Sequence, residues 1–211
     1  MSTKAIDADS IGPQVNLADV TIPEDVGKRM QRLFGTDESI TDAAEWIAHT
    51  DEAIELKRGR AVGVEDLCDT SDGDHAFEAA DGDFYQEYMC VLDPIAYAFI
   101  TDTPGTVHTV TALRRTPIEI RIDGDGVEVD REGAVTSIGV SDHVEYVEDV
   151  TPQTIYQQVC GYIQTFEDES EYEEWADAVD AATTPLALET GKNEQICFLW
   201  KNPSQVNLLV W

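Results

Sequence analysis

Among 211 residues, the side chains best suited to nucleophilic or soft-metal chemistry are four cysteines, Cys68, Cys90, Cys160 and Cys197. They lie far apart and form no C-x-x-C pair, which argues against a structural zinc site and a thioredoxin-type motif. Cys90 stands out, because in YMCVLDPIAYAFI (residues 88–100) it precedes Asp93 by three positions and Pro94 then launches an apolar run. Asp93-Pro94 reads as the N-cap and first residue of a helix, which places Cys90 just outside a helix N-terminus. Unpaired backbone N–H groups there favour an anion, so the thiol pKa is expected to fall below the about 8.5 of free cysteine. A partly ionised thiol is a nucleophile and a soft-metal ligand, and a neighbouring carboxyl can move protons. The same residues have a plainer reading, in which Cys90 is simply buried and Asp93 is a helix cap worth about 1 kcal/mol.

Other chemistries find less support. There is no G-x-S-x-G, H-E-x-x-H or P-loop, and GDGVEV lacks the third glycine and the helix of a dinucleotide loop. The Asp-Gly-rich stretch from Cys68 to Asp83 fails the spacing of a calcium loop. His49, His75, His108 and His143 show no ligand spacing. Lys57, Arg58 and Arg60 form the one basic cluster, read as a turn paired with nearby acids. Cys197, inside ICFLW, reads as a small buried hydrophobe, and Cys68 as an incidental loop thiol.

The elements that must position Cys90, Asp93 and Cys160 follow from periodicity. Residues 1–20 are polar and read as a disordered arm. Helices are expected over about Pro23–Phe34 and from Ser39 to about His49, the second capped by Ser39 with Asp42 three residues on. Residues 68–83 look like a loop in which two Asp-Gly turns bracket His75–Ala80. After an extended Phe84–Met89 and the helix beginning at Asp93, an antiparallel meander is expected. TVHTVTAL alternates, IEIRI puts Ile118, Ile120 and Ile122 on one face, Asp125-Gly126 makes a hairpin turn, and VEV, AVTSIGV and VEYV continue. Thr151-Pro152 opens a short helix to about Val159, and YIQTF then returns to strand, leaving Cys160 at a helix-to-strand corner. A capping box of Ser170 and Glu173 starts a last helix, and PLALET and ICFLW read as final strands.

Composition narrows the partners. Thirteen Lys and Arg against 43 Asp and Glu give a formal charge of −30, a field that repels nucleic acid and anionic membrane surfaces. The acids are scattered through periodic segments, as in the solvated surfaces of proteins from salt-accumulating cells. With no signal-like N-terminal segment and no stretch of about 18 apolar residues, a cytoplasmic protein is expected, its cysteines kept as thiols.

The Cys90 stretch resembles the active-site segment of the organomercurial (alkylmercury) lyases, in which a nucleophilic cysteine and a proton-shuttling aspartate lead into an apolar helix. TPIEIRI with GVEVDREGAVTSIGV is similar to that family's central strands. VCGYIQTF places Cys160 where the family has its second catalytic cysteine, and Trp175 keeps the spacing to a helical tryptophan. The resemblance runs over residues 84–190. It departs at Thr111, where the family commonly has a further cysteine, and in the thin N-terminal part, where family members carry a winged-helix-like module.

The fold this implies is α+β, an antiparallel or mixed sheet flanked by helices. Residues 21–80 form a small helical, degenerate winged-helix-like module, and residues 81–211 a lyase-like catalytic domain. The resemblance implies cleavage of R–Hg⁺ to R–H and Hg²⁺, with Cys90, Asp93 and Cys160 both catalytic and in contact with mercury. No cofactor is required; Hg²⁺ is bound as product, and external thiols or a mercuric-ion-accepting thiol protein remove it. Two other readings stand beside it: a protein of the same fold that holds Hg²⁺ or Cu⁺ between Cys90 and Cys160 without catalysis, and a metal-sensing regulator, which the charge disfavours.

Overall fold

A computed structural model describes residues 21–58, 63–123, 126–144 and 151–188. The expected arm, Arg60, Asp125 of the hairpin turn, VEYV beyond Val144, ICFLW and Cys197 lie outside the described residues, as do the side chains of Lys57 and Arg58. The first helix, α1, spans Glu24–Phe34, with Glu24 and Asp25 at its start and Gly35 in the left-handed region (φ 69°) at its end. Its Val26, Met30 and Leu33 are fully buried. Gly27 faces the segment before the next helix so closely that an added Cβ would lie 2.0 Å from the Ile40 carbonyl oxygen.

Helix α2 spans Ala43–Arg58 and starts later than the expected Ser39. The cap is Asp42, whose Oδ1 accepts the Glu45 N–H at 3.0 Å, while Glu45 Oε2 accepts the Thr41 N–H at 2.8 Å. The capping logic therefore holds, shifted by three residues, where Thr21 bridges to Asp42 and the Ile22 N–H donates to the Thr41 carbonyl at 2.8 Å.

The larger sheet is antiparallel, with strand order β1-β3-β2-β4-β5-β6. Its strands are β1 (Asp69–Thr70), β2 (His75–Ala79), β3 (Tyr85–Tyr88), β4 (Gly105–Val110), β5 (Pro117–Asp123) and β6 (Gly126–Val129). Ile118, Ile120 and Ile122 point into the core as their alternation requires. The expected loop over residues 68–83 is corrected: it contains β1 and β2, and β2 lies between β3 and β4. Four of the five β2 residues are buried, so the segment carries no alternating signature to set against its flanking turns. The expected module boundary at residue 80 thus falls after two strands of the main sheet.

Helix α3 (Leu92–Thr101) packs its Leu92, Ile95, Ala96 and Ala98 into the core, and Asp102 ends it in the left-handed region. A second antiparallel sheet, β8-β7-β9, is formed by β7 (Val135–Ser141), β8 (Thr165–Phe166) and β9 (Ala181–Ala187). Helix α4 (Pro152–Gln158) is capped by Thr151, whose Oγ1 accepts the Thr154 N–H at 3.1 Å. Helix α5 (Glu169–Ala176) is capped two residues before the expected Ser170, by Asp168, which accepts the Glu171 N–H at 2.8 Å, and Ser170 lies in its first turn. One hydrophobic core runs from Val26 and Met30 of α1 through the sheets to Ile95, Val140 and Ile163. The architecture is α+β, and no helix among the described residues is long and apolar enough to cross a membrane.

Buried polar groups join the layers. His75 Nδ1 lies 2.6 Å from Thr109 Oγ1, which donates to Thr165 Oγ1 at 3.1 Å, linking β2 and β4 to β8. Burial holds the His75 pKa down at about 4. The unfolded chain takes up this proton near pH 6.5, so the neutral buried ring stabilises the fold fully above pH 6.5 and the benefit disappears as pH falls to 4. Relative to His75→Gln, wild type is expected to lose about 3 kcal/mol of stability between pH 7 and pH 4. Urea denaturation of both proteins across that range checks the difference.

Glu171, with no exposed surface, accepts the Leu113 and Arg114 N–H groups on Oε1 and the Glu167 N–H on Oε2. Burial pushes its pKa up, but the three N–H donors and Thr111 outweigh burial and leave it below the ordinary value. Thr111 Oγ1 also accepts the Thr116 N–H at 3.1 Å, a bond that a cysteine sulfur, a weak acceptor, would make poorly. Glu171→Gln, which points an amide donor at donors, is expected to cost about 3 kcal/mol in thermal or urea unfolding.

Candidate active site

Three separate parts of the chain meet below the start of α3. Cys68 arrives through the pairing of β1 with β3: Asp69 lies opposite Tyr88, and the Met89 N–H donates to the Cys68 carbonyl at 3.1 Å. Cys90 follows two residues after β3 ends, in the bend that leads into α3. Cys160 begins a 3₁₀ turn, Cys160–Tyr162, between α4 and β8, at the corner expected from the sequence. That turn is fixed to β7 by Ser137, whose Oγ donates to the Tyr162 carbonyl at 2.8 Å and accepts the Gln164 N–H at 3.1 Å.

The side chains converge. Cys68 Sγ lies 3.9 Å from Cys160 Sγ, and the Cys68 N–H donates to Asp93 Oδ2 at 3.2 Å. The ligand atoms of Cys68, Asp93 and Cys160 all lie within 4.8 Å of one another, the one such cluster of possible metal ligands among the described residues. Cys90 adjoins this cluster, with its thiol influenced by Cys160 and by the backbone of Asp93, but its sulfur is not one of the ligand atoms that lie within 4.8 Å of one another. Cys90 is 2% exposed, Cys160 5% and Asp93 7%, whereas Cys68 is half-buried.

Two expectations about this site are corrected. Asp93 is not the N-cap: Val91 holds that place, helical residues begin at Leu92, and Asp93 and Pro94 fall within the first turn. A proline is tolerated there because the first-turn N–H groups lack helical partners in any case. The Asp93 carboxyl is thereby released from capping and turns toward the sulfurs. The Cys90 pKa, expected to fall, is raised instead. Its hydrogen bond with Cys160 pulls it down, but burial and the nearby Asp93 and Cys68 outweigh that pull.

Cys160 is pushed up as well, by its hydrogen bonds with Cys68 and Cys90 and by burial. Between the two, Cys160 pulls the Cys90 pKa down while Cys90 pushes that of Cys160 up, although both are raised overall. Burial raises the Asp93 pKa to about 6, against the pull of the Cys68 N–H and of Cys90. A carboxyl poised at that value can both take and give a proton near neutrality. The arrangement thus offers two buried thiols, both held in the protonated form, beside a carboxyl able to carry a proton.

A family model described as "MerB: Alkylmercury lyase" matches residues 70–193, more than half of the 211-residue chain. The chain belongs to the alkylmercury lyase family. Membership makes it an enzyme of carbon–mercury cleavage, which agrees with the resemblance seen around Cys90 and Cys160. No curated protein matches the chain. Among solved structures it is similar to one titled "Crystal structure of the mercury-bound form of MerB2", at 9% identity and a TM-score of 0.45, covering 84% of this chain and 97% of that one.

The family match begins at Thr70, inside the segment read from sequence as a loop. Cys68 lies two residues before that start, and nothing in its local sequence marks it. It is found only through the two-residue pairing of β1 with β3. The four histidines lie elsewhere: His49 stacks on Phe34, His75 sits in the polar chain between sheets, His108 lies between Glu78 and Glu119, and His143 pairs with Asp180. Of the apolar residues that could line a pocket for an organic group, Tyr88 and Ile95 are core residues, and Phe84 stacks on Tyr97 with ring centroids 4.6 Å apart. Trp175 packs against Phe166 and Tyr172 in a separate small cluster.

Proposed function

We propose that this enzyme cleaves organomercurials by protonolysis, with Cys90 as nucleophile, Cys160 as second sulfur and Asp93 as proton carrier. The observation that supports this reading is that Asp93 and Cys160, from distant segments, bring their ligand atoms within 4.8 Å of each other, with Cys90 buried three residues before Asp93 and a carboxyl whose pKa is raised to about 6.

The steps balance. Cys90 attacks R–Hg–SR′, where R′S⁻ is a small thiolate, and forms an S–Hg bond; its proton leaves on the departing thiol. Cys160 then adds its sulfur to the soft metal, and coordination acidifies that thiol, whose proton passes to the Asp93 carboxylate. Two sulfurs donating to mercury push electron density onto the bound carbon. Asp93 delivers the proton there as the C–Hg bond breaks, and the carbon keeps the bonding pair. R–H departs, Hg²⁺ stays on Cys90 and Cys160, and Asp93 is again a carboxylate. Excess external thiol removes the metal as a dithiolate and returns protons to the two cysteines.

Incubating the full chain with phenylmercury and excess small thiol is expected to release benzene, measured by gas chromatography, in amounts exceeding the enzyme. Retention of mercury on the protein with no benzene would instead make the chain a soft-metal carrier of the same fold.

A further inference from the structure

The protonolysis just described uses two sulfurs, and the site contains a third. Cys68 Sγ is 3.9 Å from Cys160 Sγ, within reach of any ion that Cys160 holds. Its ligand atom, with those of Asp93 and Cys160, fits within 4.8 Å. Cys68 differs from the other two thiols in one respect that matters for release: it is half-buried, whereas Cys90 and Cys160 are 2% and 5% exposed. Its backbone is also fixed, since the carbonyl accepts the Met89 N–H and the N–H donates to Asp93.

Mercury bound by two buried thiolates presents a problem of exit. Thiolates exchange on Hg²⁺ by adding a third sulfur before one of the first two leaves, so an outside thiol must approach the metal while both protein sulfurs still hold it. With Cys90 and Cys160 closed to solvent, that approach is obstructed. A protein sulfur beside Cys160 on the more open side removes the obstruction.

We propose that Cys68 is a third mercury ligand, which joins Cys90 and Cys160 on the product Hg²⁺ and carries it toward external thiols. This rests on the lyase reading above for the origin of the Hg²⁺. In the capture step the Cys68 S–H bond breaks, an S–Hg bond forms, and the proton goes to the Asp93 carboxylate, giving a three-thiolate complex of net charge −1 and a neutral Asp93. In the release step two external thiols take the metal as a neutral dithiolate. Their two protons and the one on Asp93 return to the three cysteines, and Asp93 is left as a carboxylate. No oxidant or reductant takes part.

The test uses the full chain and its Cys68→Ser variant, with folding of both checked by circular dichroism. Mercury-edge X-ray absorption of protein loaded with one equivalent of HgCl₂ should show three sulfurs in wild type and two in the variant. With phenylmercury and excess small thiol, the variant should lose about ten-fold or more in steady-state benzene release, and lose more in later turnovers than in the first. Two sulfurs in both proteins, or equal losses in first and later turnovers, would overturn the proposal. If wild type releases no benzene at all, the lyase reading fails, while the sulfur count still decides whether Cys68 binds the metal.

Discussion

Asp93→Asn is expected to lose about 10³-fold in the rate of the first turnover of phenylmercury while still binding Hg²⁺. The amide keeps the shape of the side chain and an oxygen to accept the Cys68 N–H, now made by Asp93 Oδ2 at 3.2 Å. It cannot take the proton of a mercury-bound thiol and hand it to carbon. The metal-binding sulfurs are untouched, so Hg²⁺ titration followed by the ultraviolet mercury–thiolate absorption should reach the wild-type stoichiometry. A rapid-quench measurement of benzene separates the two properties. Benzene release by Asp93→Asn within about ten-fold of wild type would remove Asp93 from the proton path, since a general acid of this kind contributes about 10²–10⁴-fold.

The second large effect divides the two sulfurs. Cys90→Ser should lose both tight capture of phenylmercury and its cleavage, because a hydroxyl is a hard, weakly acidic ligand that does not replace a thiolate on a soft metal. Cys160→Ser should still capture phenylmercury on Cys90, yet cleave it more than about 10³-fold slower, for lack of the second donor that pushes electrons onto carbon. Mass spectrometry of the intact proteins after brief exposure to phenylmercury reads this difference directly: an adduct should persist on Cys160→Ser and be absent from Cys90→Ser. The asymmetry follows from the hydrogen bonding, in which Cys160 supports negative charge on Cys90. The reverse pattern would exchange the roles of the two sulfurs.

The parts of this site that were legible in the sequence are those whose local signals agree with their surroundings. Cys160 is found at the corner between a Thr151-capped helix and a short strand because the helix start, its apolar spacing and the following Gly161 all point the same way. The face of Ile118, Ile120 and Ile122 is clear because β5 has one buried side and one solvated side. β2 gives no such signal. It is buried on both faces between β3 and β4, and its Asp-Gly flanks argue for a loop. Cys68 is hidden with it, since a two-residue edge strand has no periodicity to read.

Asp93 illustrates a different limit. Before a proline at the start of an apolar run, an aspartate has a good local role as a cap, and local rules assign it that role. Val91 takes the cap position instead and the carboxyl turns into the cluster of sulfurs, where burial raises its pKa. The direction of the Cys90 shift was likewise set by tertiary surroundings. The helix start argues for a lowered pKa, but burial and the approach of Asp93 and Cys68 prevail. In both residues the local preference yields at the site proposed for the chemistry, as is expected of functional sites.

The most direct test of two thiols and one carboxyl acting on a single carbon–mercury bond is a single turnover in D₂O with protein in excess over phenylmercury, analysed by gas chromatography with mass detection. Wild type should convert the phenylmercury to benzene carrying one deuterium and retain the mercury on its sulfurs, while Asp93→Asn retains phenylmercury. Intact phenylmercury recovered from wild type after prolonged incubation would contradict the account.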